Sequence, residues 1–168
     1  MPRVDQGINI ERYVVIPRTL IFIIRKKNKV LLIKRSEHKT LWAGQYNGIG
    51  GHIERGEDVI TSARREIKEE TGLDVVNLSV SAIVHIDIDE KVGVVMFVLV
   101  AQDFSGDLAP SPEGTLQWVE LKEINRYPVV EDIKIILPRI LNMKKGDPAL
   151  SIRYEYNEND DLEISFHD

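Results

Sequence analysis

The sequence predicts an α+β fold in a single domain, residues 1–168: a mixed β-sheet flanked by helices and closed by a C-terminal β-hairpin. Most apolar residues fall in short runs rich in Ile, Val and Leu and bounded by polar turns, which is how strands read. Only two stretches, opening near Asp58 and Glu131, read as helices. Strands interleaved with two helices suit helices packed on the faces of one sheet. With 168 residues, 43% hydrophobic and 29% charged, the chain has the size and composition of one globular domain with a real core.

Each element has its own signal. Residues 19–24 and 29–34 read as a hairpin across the polar turn Arg25-Lys26-Lys27-Asn28. A loop over 36–46 leads to a short strand at 49–53. The first helix opens at Glu57-Asp58, where carboxylates meet the positive end of the helix dipole, and stops at Gly72, a C-cap glycine. Residues 75–89 and 92–102 form a second long strand pair, and a Pro/Gly-rich loop over 104–114 precedes a strand at 116–121. Residues 131–143 read as a helix that Pro138 must kink or shorten. The closing hairpin pairs 150–156 with 162–166. The sequence shows no internal repeat, linker or low-complexity segment.

Composition narrows the function. A net charge of −5 argues against binding a nucleic-acid polymer, which needs a basic face. The absence of cysteine removes disulfides and thiol catalysis. The first residues form no apolar h-region and no run reaches membrane-spanning length, so the expectation is a cytoplasmic protein with no membrane partner. Monomer and homodimer are equally compatible with the sequence.

The chemistry concentrates between Gly51 and Leu73, where six carboxylates occur. Glu66, Glu69 and Glu70 are spaced i, i+3, i+4, so they share one face of a helix. Carboxylates that close raise one another's pKa unless a positive group lies among them. A divalent cation is one remedy, and Mg²⁺ sites are commonly built from carboxylates and substrate phosphates. Val59, Ile60, Ala63 and Ile67 occupy a neighbouring arc that can be buried, which would hold the glutamates at the rim of a cleft. Gly51 and Gly56 permit tight turns and close backbone approach. Arg65, flanked by acids, can hold carboxylates bidentately.

The full pattern is Gly51, Glu57 after five residues, Arg65-Glu66-Ile67 after seven more, then Glu69-Glu70 and Gly72-Leu73. It matches the Nudix box at every fixed position, so the chain resembles a Nudix hydrolase. The run Tyr46-Asn47-Gly48-Ile49-Gly50-Gly51 is similar to that of a MutT-type subgroup, the oxidized-purine nucleoside triphosphatases, and so is the order of elements. The resemblance implies an α/β/α sandwich and Mg²⁺-dependent hydrolysis of a nucleoside triphosphate, such as 8-oxo-dGTP, to monophosphate and pyrophosphate. Mn²⁺ is the alternative ion.

The resemblance also implies roles. One to three metal ions fall to Glu66, Glu69, Glu70, the Gly50 carbonyl and Glu113, with Glu69 or Glu113 as the base that deprotonates water. Arg65 orients the glutamates, and Glu57 and Gly51 support them. Arg35 meets the phosphates, Asn47 and the pair Glu131-Asp132 read the base, and Tyr46 or Trp42 could stack on it. Two positions depart from the subgroup. Val129 stands where an aromatic ring stacks on the base, and His52 replaces a lysine after the glycine pair. Losing a stacking ring forfeits about 1–3 kcal/mol, which would weaken or redirect base choice. ADP-ribose, nucleotide sugars and dinucleoside polyphosphates are alternative substrates, because each contains the same X-linked nucleoside diphosphate and the box does not distinguish among them. A non-catalytic nucleotide sensor is the alternative outside hydrolysis. Isoprenoid diphosphate isomerisation would call for a cysteine that the chain lacks.

Overall fold

The computed structural model describes residues 2–7, 9–26, 28–38 and 40–167. Lys27 of the first turn and Lys39 of the loop after it lie outside the described residues. Strand β1 (Val14–Arg25) organises the sheet, because its stretch Leu20–Ile24 is apolar at every position and is buried on both faces. It pairs in parallel with β6 (Val92–Ala101), from Val14↔Val92 to Ile23↔Ala101, and antiparallel with β2 (Lys29–Arg35) at Ile23↔Leu31. Beyond β6 lie β5 (Leu78–Asp87) and then the closing hairpin of β9 (Leu150–Tyr156) and β10 (Leu162–His167). Strand β9 runs parallel to β5, so the hairpin extends the main sheet. On the other side β2 pairs with β3 (Tyr46–Asn47) and β8 (Gly114–Glu120), completing an eight-stranded mixed sheet.

Alternation along β1 divides the core into two layers. Ile21 and Ile23 face α1 (Val59–Thr71) and pack with Leu31, Ile33, Ala63 and Ile67. Leu20, Phe22 and Ile24 face α2 (Glu131–Leu141) and pack with Val84, Ile133, Ile136 and Leu137. The expected helix–sheet–helix sandwich is the observed one. Helix α1 begins as its letters require: Asp58 accepts the Ile60 and Thr61 N–H groups at 2.8 and 2.9 Å. It ends at Gly72, whose left-handed φ of 76° lets its N–H reach the Lys68 carbonyl.

Three expected elements differ. The strand at 75–89 is broken: β4 (Asp74–Val75) pairs with β7 (Phe104–Ser105) in a separate ribbon, and β5 starts at Leu78. The break lies where the Asn77 amide donates to Asp103 at 2.8 Å and the Val76 N–H to the Asp103 carbonyl at 3.2 Å. The segment 49–53 forms only isolated bridges to β1, at Ile21↔Ile49 and Arg18↔His52. Helix α2 runs through Pro138 and ends at Leu141. Pro138 and Lys134, whose carbonyl loses its partner to the proline, are both exposed, so water can take that hydrogen bond.

Ile67 has no exposed surface and joins α1 to both central strands. Ile67→Ala is expected to lower unfolding free energy by about 2–5 kcal/mol in urea titration; a loss under about 0.5 kcal/mol, ordinary for a surface site, would show that this seam does not hold α1 in place.

Candidate active site

The site is built where the chain leaves β3 and turns along β1. Ile49 exchanges backbone hydrogen bonds with Ile21 at 2.6 and 3.1 Å, Thr19 N–H donates to Gly51 at 2.9 Å, and Ile53 N–H donates to Pro17 at 3.1 Å. This close track needs glycine twice. Gly50 has φ of 147°, and a Cβ there would run into the Thr19 carbonyl. A Cβ on Gly51 would sit 2.5 Å from Glu66 Oε1. The glycine pair thus brings bare backbone against the carboxylates of α1.

Arg65 gathers those carboxylates. Its Nε and Nη2 donate to Glu57 at 2.6 and 3.0 Å, and its Nη1 donates to Glu66 at 2.8 Å and Glu69 at 3.2 Å. Nη2 also reaches the His52 carbonyl at 3.1 Å, which ties the helix to the glycine turn. Hydrogen bonding from Arg65 holds the Glu57 carboxyl down at about 2, and the same bonds raise the already high pKa of Arg65.

Glu70 is outside this clasp. Only 8% exposed, it is pushed up to about 8, first by burial and then by the charge of Glu66, with Gly50 N–H as a partial offset. Its Oε2 is buried without a hydrogen-bond partner. Nearby, Arg35 Nη2 lies 3.4 Å from Glu113 Oε2, and Arg35 Nε is likewise buried without a partner. Glu113 and Arg35 both act on the charge of Glu70, so the three belong to one site.

The residues expected to meet a base are less uniform. Asn47 accepts the Gly48 N–H on its Oδ1 at 2.8 Å, so that oxygen is engaged by its own backbone turn. Tyr46 packs with the α2 layer, donates to Gln117 at 2.7 Å and meets Tyr127 edge-on. Trp42, by contrast, is exposed and has a left-handed φ of 54°. Val129 is buried in the α2 core. Glu131 is exposed, while Asp132 is 9% exposed and accepts from the Tyr154 hydroxyl at 3.1 Å. Burial raises the Asp132 pKa, and its Oδ1 has no partner. Sequence reasoning did not single out Tyr154, because a tyrosine in a strand reads as core. It also did not pair His52 with Arg18, whose Nε donates to His52 Nε2 at 3.2 Å.

The family model of the NUDIX domain matches residues 15–140. The chain belongs to the Nudix family. An uncharacterized Nudix hydrolase of Bacillus subtilis, YvcI, is 30% identical over 80% of this chain and 83% of its own length. The oxidized purine nucleoside triphosphate hydrolase of Mus musculus is 30% identical over 76% of this chain and 80% of its own. Among solved structures, the Mutator MutT protein of Bacillus halodurans superposes with a TM-score of 0.76 and 25% identity, covering 90% of this chain and 97% of that one. The chain is a Nudix hydrolase, an enzyme of a family that acts on nucleotide substrates, and no helix among the described residues is long and apolar enough to cross a membrane.

Nudix hydrolases use a divalent metal. Among the described residues no three acidic, His or Cys side chains converge on one point as a closed cage, because Arg65 draws Glu66 and Glu69 to itself. The donors nevertheless suit a hard cation: carboxylate oxygens, a carbonyl-bearing glycine turn, and in Glu70 Oε2 a buried acceptor with nothing to accept from.

An acid raised from 4.5 to about 8 on folding contributes stability that is complete below the lower value and is lost as pH rises through the upper one. In EDTA, the thermal midpoint of the wild type is therefore expected to fall between those pH values, and Glu70→Gln should flatten the decline. Parallel pH profiles for the two proteins would contradict the assignment.

Proposed function

We propose that the chain hydrolyses a nucleoside triphosphate to nucleoside monophosphate and pyrophosphate, with Mg²⁺ (or Mn²⁺ in its place), and that oxidized purines such as 8-oxo-dGTP are among its substrates. The observation that carries this reading is the pair of unpartnered buried atoms, Glu70 Oε2 and Arg35 Nε, beside an Arg65-bound carboxylate cluster. One seeks a cation and the other an anion, and a metal–phosphate unit supplies both. The relatives named for oxidized purine hydrolysis support the substrate class.

Glu66, Glu69 and Glu70, with the Gly50 carbonyl and Glu113, would hold the metal, which when bound polarises phosphate oxygens and acidifies water. Arg65 keeps Glu57, Glu66 and Glu69 in register without touching the reacting atoms. Arg35 holds the non-bridging oxygens of the distal phosphates. A water oxygen bonds to the β-phosphorus as the bridge from β-phosphorus to the α-phosphate oxygen breaks. Glu69, whose side chain is 59% exposed, takes the water's proton; Glu113, paired with Arg35, is the second candidate. The electron pair of the broken bond leaves on the nucleoside monophosphate.

At the base, the Asn47 amide donates to a ring acceptor or carbonyl, and Asp132 Oδ1 with Glu131 meets the opposite edge. With Val129 buried, Trp42 is the exposed ring available to stack. The missing aromatic at Val129 favours one second reading, a Nudix pyrophosphatase for ADP-ribose, nucleotide sugars or dinucleoside polyphosphates.

Protein incubated with Mg²⁺ and 8-oxo-dGTP, dGTP, dATP, ADP-ribose or diadenosine tetraphosphate is expected to release pyrophosphate from the triphosphates, most from 8-oxo-dGTP. Turnover of ADP-ribose or the dinucleotide alone would move the second reading into first place. Glu69→Gln and Glu70→Gln should each lower kcat by about two orders of magnitude or more, with circular dichroism unchanged. Wild-type rates from either variant would remove the carboxylates from the mechanism.

A further inference from the structure

Arg18 is a cation without a counter-charge beside the site. Its position on β1 puts it on the α2 face, next along from Leu20, with Met96 opposite it in the register of β6. The residue as a whole is half-buried, and its guanidinium meets His52 in a solvent-exposed contact. The Arg18 Nε donates to His52 Nε2 at 3.2 Å. Among the described residues Arg18 pairs with no carboxylate, whereas the two other arginines of the site both do: Arg65 with Glu57, Glu66 and Glu69, and Arg35 with Glu113. An arginine with no carboxylate partner among the described residues is open to an anion, and its planar fork suits two phosphate oxygens.

The backbone says where that anion lies. Gly51 faces Glu66 on the α1 side, whereas His52, one residue on, bridges Arg18 and shares its side of the sheet. A substrate whose reacting phosphate lies at the α1 carboxylates and whose nucleoside reaches Asp132 and Tyr154 on the α2 side must pass over this turn. The phosphate at the crossing is the one attached to the nucleoside. We infer that Arg18, oriented by His52, binds the nucleoside-side phosphate of the substrate and retains it in the monophosphate product. This rests on the triphosphate reading above. In the division of labour that results, Arg35 holds the pyrophosphate end and Arg18 the nucleoside end, with the scissile bridge between them.

Calorimetric titration with dGMP and with inorganic pyrophosphate tests the inference without turnover. Arg18→Gln should weaken dGMP by about tenfold or more, as expected for a lost hydrogen bond to a charged group, and leave pyrophosphate unchanged. In turnover the same variant should raise KM more than it lowers kcat. His52→Ala should reproduce part of the loss, and His52→Gln, which keeps an acceptor for Arg18 Nε, should restore it; a purely structural role would make both His52 variants behave alike. The inference is overturned by dGMP binding that is absent in the wild type or unchanged in Arg18→Gln, or by equal losses for both ligands. Failure of the triphosphate reading shows separately, as no pyrophosphate release from any nucleoside triphosphate by the wild type.

Discussion

Arg65 meets Glu57, Glu66 and Glu69 with one guanidinium while its Nη2 also grips the His52 carbonyl. Without it, three carboxylates on and beside one helix would repel one another at close range, and the glycine turn would keep only the Ser62 hydroxyl, 3.3 Å from the His52 carbonyl, of the two α1 side chains that hold that carbonyl. The rest of the site follows from this clasp. It fixes the height of α1 over the Gly50–Gly51 turn, which then must be free of side chains. It also leaves Glu70 as the one carboxylate of the cluster that is buried without the arginine. One guanidinium facing three carboxylates, with a fourth buried outside its reach, leaves an excess of negative charge that a cation would relieve, and the proposed chemistry rests on that excess.

The sheet supplies the rigidity that such a cluster needs. Strand β1 is held by β6 over ten consecutive register pairs and by β2 at its end, so the Gly50–Gly51 turn docks against a strand tied into the middle of the sheet. Because β1 sends alternate residues to opposite layers, it presents Thr19 to the glycine turn and Arg18 to the other face within a single step. The two faces of the sheet thereby carry different chemistry, carboxylates on the α1 side and an apolar floor with Asp132 and Tyr154 on the α2 side, and in the proposed function they would meet different parts of one ligand.

Much of this was legible in the sequence because local chemistry dictated it. Asp58 as cap, Gly72 as terminator and the i, i+3, i+4 glutamates all act within a turn or two of helix, where spacing alone decides who meets whom. A mixed sheet flanked by helices followed from the pattern of strands and helices, and the Nudix resemblance implied the sandwich. What stayed hidden depends on partners distant in the chain. The strand expected at 75–89 broke because Asn77 found Asp103, 26 residues away. Asp132 acquired Tyr154, 22 residues on, and Arg18 acquired His52, 34 residues on. Pro138 left α2 intact because it faces solvent, and that orientation is set by which side of α2 packs on the sheet. Segment 49–53 reads as a strand from its apolar letters, yet the glycine pair within it permits only isolated bridges.

Glu70, buried with an unpartnered Oε2, is the residue on which the proposed metal site depends. The most direct measurement is Mn²⁺ binding by electron paramagnetic resonance at neutral pH, comparing the wild type with Glu70→Gln in the absence of nucleotide. Tight binding by the wild type and its loss in the variant is the predicted result. Equal affinity in the two proteins would place the metal elsewhere and leave the buried carboxylate without the role given to it.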